Sequence, residues 1–417
     1  MKKLLSTAVI AATVLAAPVL TPAASAAPAS EIHPDWSGLD ARDYSGPIPD
    51  QHGTLITSVP LSPRIARTDF PRNPTPTRFL YSAATQHSAS GLSTALLYRP
   101  SRPAPPGGYP IVAFAHGTSG IADECTPSAN SYRPNIAIEA DFLQRLLDAG
   151  YAVVATDYAG AGTPGTQSYV NTDVEGKNVI DSVIAARALG VPLAHRWAVA
   201  GYSQGGGAAV GAAHVVSAYA PHERPGYRGA ISLAGPANLE LLLPLLGPGV
   251  LPVNVDAVNP RFTLYVALAL TSLREAHPEL HLNSYLTAQG RRILDEAAET
   301  CLSDINDLGE FNHLVLGDLF ARPLGTVPGL AATIRAMAGS PTVGVTGPLL
   351  LMQGLIDTDV PLTTSNVTTA PALRANGTNV EVVITPADTH LTLIQHAVPD
   401  TLRFLSRNLA PVTRPAR

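Results

Sequence analysis

The sequence predicts an α/β fold, built on a mostly parallel, doubly wound sheet with a helical insertion, and three observations support this. Between about residues 76 and 234, apolar runs of strand length alternate with helix-like segments, the rhythm of βαβ units. From residue 235 to about 345 this rhythm is lost, and helix-like apolar runs dominate. Strand-like runs return at 349–352 and 380–384, so the chain leaves one sheet and later rejoins it.

The predicted elements before the insertion follow one another with short connections. Two strand-like runs, 78–81 and 92–98, are separated by a polar turn and start the sheet as an antiparallel pair. The later segments are a strand at 109–115, a helix at 136–149, a strand at 151–156, a helix at 179–189, a strand at 197–200, a helix at 204–213 and a strand at 229–234. Strands and helices that alternate at these lengths form a parallel sheet covered on both faces.

The amino terminus predicts export. Two lysines precede an apolar run over 4–20, and an A-x-A sequence ends at Ala26, which is the layout of a secretory signal peptide over residues 1–26. Pro18 and Pro22 interrupt the apolar run and argue against a membrane anchor. A secreted, extracellular protein without a transmembrane segment in its mature chain is expected.

The mature chain divides into four predicted segments. Residues 27–75 are rich in Pro, Ser, Asp and Arg and predict an extended arm lying over a domain. Residues 76–234 and 346–417 form the two parts of the core. The segment 235–345 is predicted to be a helical cap over the carboxyl ends of the strands, where such folds bind ligands. The alternative is a second structural domain remote from the site.

Composition limits the partners. Charged residues make up only 14% of the chain and hydrophobic residues 46%, with a net charge of −5, so a large core is expected and nucleic acid is not an expected partner. The two cysteines, Cys125 and Cys301, form an even pair, which in an exported protein favours a disulfide over two free thiols. A metal site needs more ligands than this pair offers.

The most informative motif is Gly201-Tyr202-Ser203-Gln204-Gly205, the G-x-S-x-G nucleophile elbow of the α/β-hydrolase fold. It follows an apolar strand and precedes a helix rich in small residues, which makes Ser203 the candidate nucleophile. Glycine flanks the serine because a Cβ there would collide with the strand or the entering helix. The alternative is a chance match in a chain with 34 glycines.

A serine nucleophile needs a base and a carboxylate, which follow it in this fold in the order acid, then histidine. Of twelve histidines, only His390 and His396 lie beyond the last strand pair. His390 is the predicted base, in a loop just after a strand, and His396 is assigned to the surface of the next helix. Asp357 is the predicted acid, in preference to Asp359, which fits a solvated turn.

An oxyanion site needs two N–H donors. One is the backbone N–H of Gln204, directly after the nucleophile. The other is the backbone N–H of Thr118, in the His-Gly-Thr-Ser-Gly loop after the strand at 109–115. His116, at the start of that loop, is predicted to brace it rather than to act as a base.

Several segments together identify a family. They are His116-Gly117-Thr118, Cys125-Thr126-Pro127-Ser128, the Thr-Asp-Tyr-Ala-Gly-Ala-Gly-Thr-Pro-Gly segment at 156–165, the elbow at 201–206, Gln353-Gly354-Leu355-Ile356-Asp357 and Thr389-His390. Together they span nearly the whole mature chain. In these segments the chain resembles the secretory lipase family, exported α/β-hydrolases related to fungal type-A lipases.

The resemblance implies a triad of Ser203, Asp357 and His390 and a helical cap over an acyl-binding tunnel. It also implies hydrolysis of carboxylic esters including acylglycerols, no cofactor, and a disulfide between core and cap that fits Cys125 and Cys301.

The expected function is therefore that of a secreted triacylglycerol lipase or carboxylesterase working through an acyl-enzyme. Its expected partners are an ester or acylglycerol and a lipid–water interface. A serine peptidase or an acyltransferase on the same fold is an alternative, because a triad does not reveal the leaving group. A non-catalytic binding module of this fold is another, although such modules usually lack a triad member.

Overall fold

The computed structural model describes residues 34–62, 72–87, 89–130, 134–248, 261–302 and 316–409. The predicted signal peptide lies outside these residues. Within them, nine strands form a single sheet. The strands are β1 (Leu55–Pro60), β2 (Thr77–Ala84), β3 (Ser90–Tyr98), β4 (Tyr109–Ala115), β5 (Ala152–Thr156), β6 (Leu193–Tyr202), β7 (Tyr227–Leu233), β8 (Leu349–Gly354) and β9 (Val380–Thr385).

The strand order is β1-β2-β3-β5-β4-β6-β7-β8-β9. The pairs β1–β2, β2–β3 and β3–β5 are antiparallel. From β5 through β4 and on to β9, every neighbouring pair is parallel. The predicted mostly parallel sheet with an antiparallel start is confirmed.

Helices cover the sheet and also occur in the described parts of the segment between β7 and β8. The last helices of the chain follow β9. None of the described helices is both long and apolar enough to span a membrane. The helices are α1 (Pro134–Ala149), α2 (Thr172–Ala186), α3 (Gln204–Tyr219), α4 (Leu239–Leu242), α5 (Arg261–Ala276), α6 (Ala288–Ala298), α7 (Leu330–Ala338), α8 (Ala370–Ala375), α9 (His390–His396) and α10 (Val398–Leu409).

The side chains of β4 show how the sheet is buried on both faces. Ile111 and Ala113 belong to the apolar cluster that contains α2 and α3. Val112 and Phe114 belong to a second cluster, with residues of α1 and α10, and Phe114 packs against Phe142 of α1 with ring centroids 5.9 Å apart. Successive residues of a strand point to opposite faces, so the sheet is doubly wound, as expected from its continuous apolar runs.

Helices α2 and α3 approach each other backbone to backbone. A Cβ built on Gly176 of α2 would lie 2.5 Å from the nitrogen of Ala212, and one on Gly211 of α3 would lie 1.9 Å from the carbonyl oxygen of Thr172. Neither position can accept a larger side chain without moving a helix. The first turns of α2 are thereby held against the middle of α3.

The predicted arm contains a strand. β1 lies within residues 27–75 and pairs with β2 at the sheet edge, where Ser58 faces Phe79. Its side chains are half-buried or exposed, so they give no apolar run or clear alternation in the sequence. Part of this segment is therefore an element of the sheet rather than an arm lying over it.

The segment predicted as a cap contains helices α4 to α7 and has an apolar cluster of its own. α5 contributes Leu264 and Leu268 to that cluster, and α6 contributes Ile293 and Leu294. These four side chains are almost completely buried. The cluster is distinct from the two clusters on the sheet faces.

A disulfide joins Cys125, in the loop after β4, to Cys301, just after α6. Their Cα atoms are 5.3 Å apart. Beside it, Gly120 and Cys301 form an isolated β-bridge, and the N–H of Leu302 donates to the carbonyl of Ser119 over 3.0 Å. The end of α6 is thus fixed to the loop that contains Thr118.

We expect the double variant Cys125→Ser/Cys301→Ser to be less stable by at most about 5 kcal/mol, because the bond restricts a long loop in the unfolded chain. That loop separates the cysteines by 176 residues. Urea unfolding followed by tryptophan fluorescence measures the change. Dithiothreitol should lower the midpoint of the wild type and leave that of the double variant unchanged. Equal midpoints for wild type and variant would contradict the prediction.

Candidate active site

Ser203 connects β6 to α3 in an unusual backbone conformation. Its φ of 55° and ψ of −122° lie outside the regions that non-glycine residues normally occupy, which costs on the order of 1–3 kcal/mol. The Ser203 N–H donates to the carbonyl of Leu233 over 2.8 Å, so the end of β7 supports the turn. The turn holds the serine hydroxyl at the carboxyl edge of the sheet.

Glycines around Ser203 allow this turn to pack. A Cβ on Gly201 would lie 1.9 Å from the carbonyl oxygen of Gly205, and a Cβ on Gly205 would lie 1.9 Å from that of Ala115. A Cβ on Gly206 would lie 2.6 Å from the Cα of Gly235. The first turn of α3 therefore sits directly against the ends of β4 and β7.

The structure brings together the three residues predicted as a triad. His390 Nε2 lies 2.9 Å from Ser203 Oγ, and His390 Nδ1 lies 2.7 Å from Asp357 Oδ2. All three residues are buried, with Ser203 the most exposed at 9%. This is the arrangement of a nucleophile, a base and an orienting carboxylate.

Asp357 is held from several sides. Its Oδ1 accepts the N–H groups of Asp359 and Val360, each over 2.9 Å. Its Oδ2 accepts a hydrogen bond of 2.9 Å from Gln353 Nε2, in addition to His390. Gln353 was not predicted as a site residue; the signal available was a polar residue near the end of an otherwise apolar strand.

His390 is the first residue of α9, whereas the sequence prediction placed it in a loop. Thr389 caps this helix together with Thr392, which fixes where the helix begins. The hydroxyl of Tyr202 donates to the His390 carbonyl over 3.1 Å, and the two rings are 5.1 Å apart. Burial raises the pKa of Tyr202 well above its ordinary value, so its hydroxyl keeps the proton it donates.

The alternative histidine is placed differently. His396 ends α9, its side chain is 66% exposed, and its Nδ1 lies 2.5 Å from Asp388 Oδ1. It therefore lies on the helix surface, paired with a carboxylate outside the predicted triad.

The loop after β4 passes over the serine. A Cβ on Gly117 would be 3.3 Å from the Cβ of Ser203. The Gly117 N–H donates to Glu139 Oε1 over 2.7 Å, and the next N–H along the loop is that of Thr118, the predicted donor. Thr118 is fixed by a 2.8 Å hydrogen bond between its hydroxyl and that of Tyr169, and it lines the same cleft as Ser203 and Gln204.

His116 contacts its own loop and the following strand end. Its Nδ1 lies 2.6 Å from the Gly117 carbonyl oxygen, and its ring packs on Tyr158 with centroids 4.5 Å apart. Tyr158 in turn donates its hydroxyl to the His116 carbonyl over 3.0 Å. These contacts are those of a residue that braces the loop.

The side chain of Gln204 is bound to a buried acid. Gln204 Nε2 donates to Oε1 of Glu175 over 2.5 Å, and Glu175 is completely buried in the first turns of α2. Burial raises the pKa of this carboxyl well above its ordinary value. Glu175 was not predicted as a site residue, because the helix was predicted to begin at residue 179. The available signal was Asn171, which caps α2.

The side chains at this candidate site are the hydroxyl, imidazole and carboxylate that serine-based acyl transfer uses. Over the described ranges, no group of three His, Cys, Asp or Glu side chains converges in a way that could hold a metal ion.

Comparison with known proteins identifies the chain. The profile of the secretory lipase family matches residues 129–412, well over half of the sequence. The chain belongs to the secretory lipase family. As a member, it is a carboxylic ester hydrolase. No protein of curated function matches its sequence.

Solved structures show the same fold. Lipase A of Candida antarctica is similar with a TM-score of 0.68 and 21% identity over 88% of this chain and 84% of that chain. The rice cell wall degrading esterase LipA of Xanthomonas oryzae is similar with a TM-score of 0.64 and 18% identity, over 87% of this chain and 100% of that chain. At these identities the similarity establishes the α/β-hydrolase fold.

The secretory lipase has a cleft of about 640 Å³, including its open mouth, directly beside Ser203. Its walls are mainly apolar, and many of them come from the helical segment between β7 and β8. Polar groups lie at Thr118, Tyr169, Tyr265 and Asp359. The apolar lining includes Leu239, Leu242, Leu243, Phe262, Val266 and Ala269.

Asp359 is not the solvated turn residue that the sequence indicated. Its side chain is only 2% exposed and lies 3.6 Å from a guanidinium nitrogen of Arg261. It also accepts a 3.0 Å hydrogen bond from the hydroxyl of Tyr265. Since its own N–H donates to Asp357, Asp359 connects the loop that contains Asp357 to α5.

We expect Gly205→Ala to destabilise the protein by about 2 kcal/mol or more, because the new methyl group would overlap the backbone of β4. Activity should fall as well, since the displaced turn contains Ser203. Urea unfolding and ester turnover measure the two effects.

Gly207→Ala is the matched control on the same helix. A Cβ there would meet the side-chain methyl of Thr172 at 3.1 Å rather than backbone, so its stability should stay within about 1 kcal/mol of wild type. Equal effects of the two substitutions would contradict the close-packing explanation.

Proposed function

We propose that this secretory lipase cleaves carboxylic esters in two steps through an acyl-enzyme on Ser203, with His390 as the base and Asp357 as the orienting carboxylate. The observation that supports this best is the continuous contact from Ser203 Oγ to His390 Nε2 at 2.9 Å and from His390 Nδ1 to Asp357 at 2.7 Å.

In the first step, Ser203 Oγ attacks the ester carbonyl carbon while its proton passes to His390 Nε2. The N–H groups of Thr118 and Gln204 donate to the carbonyl oxygen as it becomes negative, and each is worth about 3 kcal/mol. Asp357 keeps the imidazole in the required tautomer and stabilises its charged form. His390 then gives the proton to the departing alcohol, and the acyl group stays on Ser203.

In the second step, water attacks the acyl-enzyme. His390 takes a proton from the water, the same N–H groups bind the second oxyanion, and the acid leaves as Ser203 regains its proton. No other chemical group is required for this cycle.

Acylglycerols are the proposed substrates, hydrolysed at a lipid–water interface. The cleft beside Ser203 is lined mainly by apolar side chains, which suit an acyl chain because burial of apolar surface is favourable. Two large apolar side chains next to the cleft-lining residues are exposed, Leu241 at 61% and Leu245 at 45%. They would contact the lipid phase.

Export through a signal peptide cleaved after Ala26 is also part of the proposal. The family to which the chain belongs is described as secretory. The Cys125–Cys301 disulfide fits an oxidising compartment outside the cytoplasm.

We expect Ser203→Ala to lower kcat on p-nitrophenyl esters by at least about four orders of magnitude, since it removes the nucleophile. The variant should keep the wild-type unfolding midpoint and lose covalent labelling by a fluorophosphonate. Ser217→Ala, on the same helix, is the control and should be labelled normally. Near-normal turnover by Ser203→Ala would overturn the assignment.

The two histidines of α9 offer a second comparison. His390→Ala should lose activity to a similar extent, because the base is gone. His396→Ala should keep it, because that side chain faces solvent. A reversed result would assign the base to His396.

We expect Ala269→Phe to shift the substrate preference toward short acyl chains, because the larger side chain occupies space in the cleft. The ratio of kcat/KM for palmitate to that for butyrate p-nitrophenyl esters should fall at least about tenfold. Ala332→Phe, the same change at an exposed position of α7, should leave the ratio unchanged. An unchanged ratio in Ala269→Phe would place the acyl chain elsewhere.

A further inference from the structure

We propose that Glu175 acts as a positioning residue for Gln204 in the form of a neutral carboxylic acid that exchanges two hydrogen bonds with the Gln204 side chain. The inference rests on the proposed function, in which the Gln204 backbone N–H binds the oxyanion. Glu175 does not contact the reacting atoms, and it would act only through Gln204.

The contacts at Glu175 are incomplete when it is drawn as a carboxylate. Its Oε1 accepts hydrogen bonds from Gln204 Nε2, over 2.5 Å, and from the N–H of Val170, over 3.1 Å. Its Oε2 and the side-chain oxygen of Gln204 are both buried and both without a hydrogen-bond partner. Each buried acceptor without a hydrogen-bond partner lowers the free energy of unfolding, so two of them in one contact are unfavourable.

A single proton on Glu175 Oε2 would give both of these unpaired oxygens a hydrogen-bond partner. A carboxylic acid and a primary amide each present a donor and an acceptor side by side. With the Gln204 amide already donating to Oε1, an O–H on Oε2 would donate to the Gln204 oxygen and close a ring of two hydrogen bonds. The proton also removes a charge from a completely buried position.

Among the residues that the structure describes, the groups that act on Glu175 include no cation that would favour its ionised form. Tyr158 and Tyr169 are its ionisable neighbours from the preceding segment, and burial raises the pKa of both, so both are neutral. Glu139 shares Tyr158 as a neighbour, and Asp359 shares Tyr169; both are acids.

On α2 itself, the charged residues next to Glu175 form their own pair. Lys177 lies 2.5 Å from Asp173 and both are partly exposed. Desolvation is the largest cause of the raised pKa of Glu175, and the hydrogen bonds from Gln204 and Val170 oppose it.

Neutrality matters for the proposed chemistry. The oxyanion forms at the N–H of Gln204, the first residue of α3, where the helix dipole favours negative charge. An ionised Glu175 bound to the same residue would oppose that charge. A neutral acid holds Gln204 in place and does not oppose the stabilisation of the oxyanion by the helix dipole.

Glu175→Gln and Glu175→Ala separate positioning from mere packing. The amide of Glu175→Gln can exchange the same two hydrogen bonds without a titrating group, so its kcat should stay within about threefold of wild type. Glu175→Ala should lower kcat about tenfold to a hundredfold with little change in KM, since the donor is displaced. Loss of activity in Glu175→Gln equal to that in Glu175→Ala would overturn the proposal.

The protonation state is tested without catalysis. A carboxyl that is protonated in the fold and ionised in the unfolded chain, where its pKa is about 4.5, makes the protein less stable as pH rises. Between pH 6 and pH 8, the unfolding constant of the wild type should therefore rise about a hundredfold relative to that of Glu175→Gln. A ratio that does not change with pH would show an ionised Glu175 and refute the proposal.

Asp181→Asn is the matched control on the same helix. Burial raises the pKa of Asp181 to about 8, and this carboxyl binds the N–H of Ala84 and the hydroxyl of Tyr219, outside the cleft. Its variant should alter the pH dependence of stability without altering kcat.

An infrared difference spectrum between wild type and Glu175→Gln at neutral pH should contain the C=O band of a protonated carboxyl. Its absence would also overturn the proposal. The stability and infrared results are independent of Ser203, so failure of the acyl-enzyme mechanism, seen as normal turnover by Ser203→Ala, remains distinguishable from failure of this inference.

Discussion

The turn at Ser203 is the constraint on which the site depends. Its backbone is held in a conformation with positive φ, and the cost is met by packing on both sides. The flanking glycines let β6 and α3 meet the ends of β4 and β7 at backbone contact distance. The same contacts that make the strain tolerable bring the candidate oxyanion loop over the serine, so the candidate nucleophile and its electrostatic surroundings are built together.

The loop that contains Asp357 contacts both the sheet and the helical segment. Asp357 receives hydrogen bonds from its own loop and from Gln353 at the end of β8. Asp359, two residues later, binds Tyr265 and lies near Arg261 of the helical segment. The carboxylate that contacts His390 and a residue of the cleft wall therefore share one short loop. A shift of the helical segment would change the position of Asp357 beside His390.

Local sequence patterns were sufficient to predict the structural elements that have a distinctive pattern of apolar residues or a known motif. Apolar runs predicted β4 to β9, and the elbow motif and chain order predicted the approach of Ser203, Asp357 and His390. β1 escaped prediction because an edge strand with half-exposed side chains has no distinctive pattern.

The roles of Gln353 and Asp359 were not predicted from the sequence, and neither was the contact between Glu175 and Gln204. The partners of Asp359 and Glu175 are distant in the chain. Gln353 contacts Asp357 only four residues away, through a turn whose conformation the sequence does not show. A single sequence does not reveal that a carboxyl such as Asp359 is covered by a helix about 100 residues away along the chain.

The glycine contact between α2 and α3 has an effect beyond packing. Gly176 follows Glu175 directly, and its lack of a side chain lets the two helices touch. A wider spacing would admit water to the carboxyl and let it ionise. Two hydrogen atoms in place of side chains, at Gly176 and Gly211, thus help to determine the charge of an acid that neither residue binds.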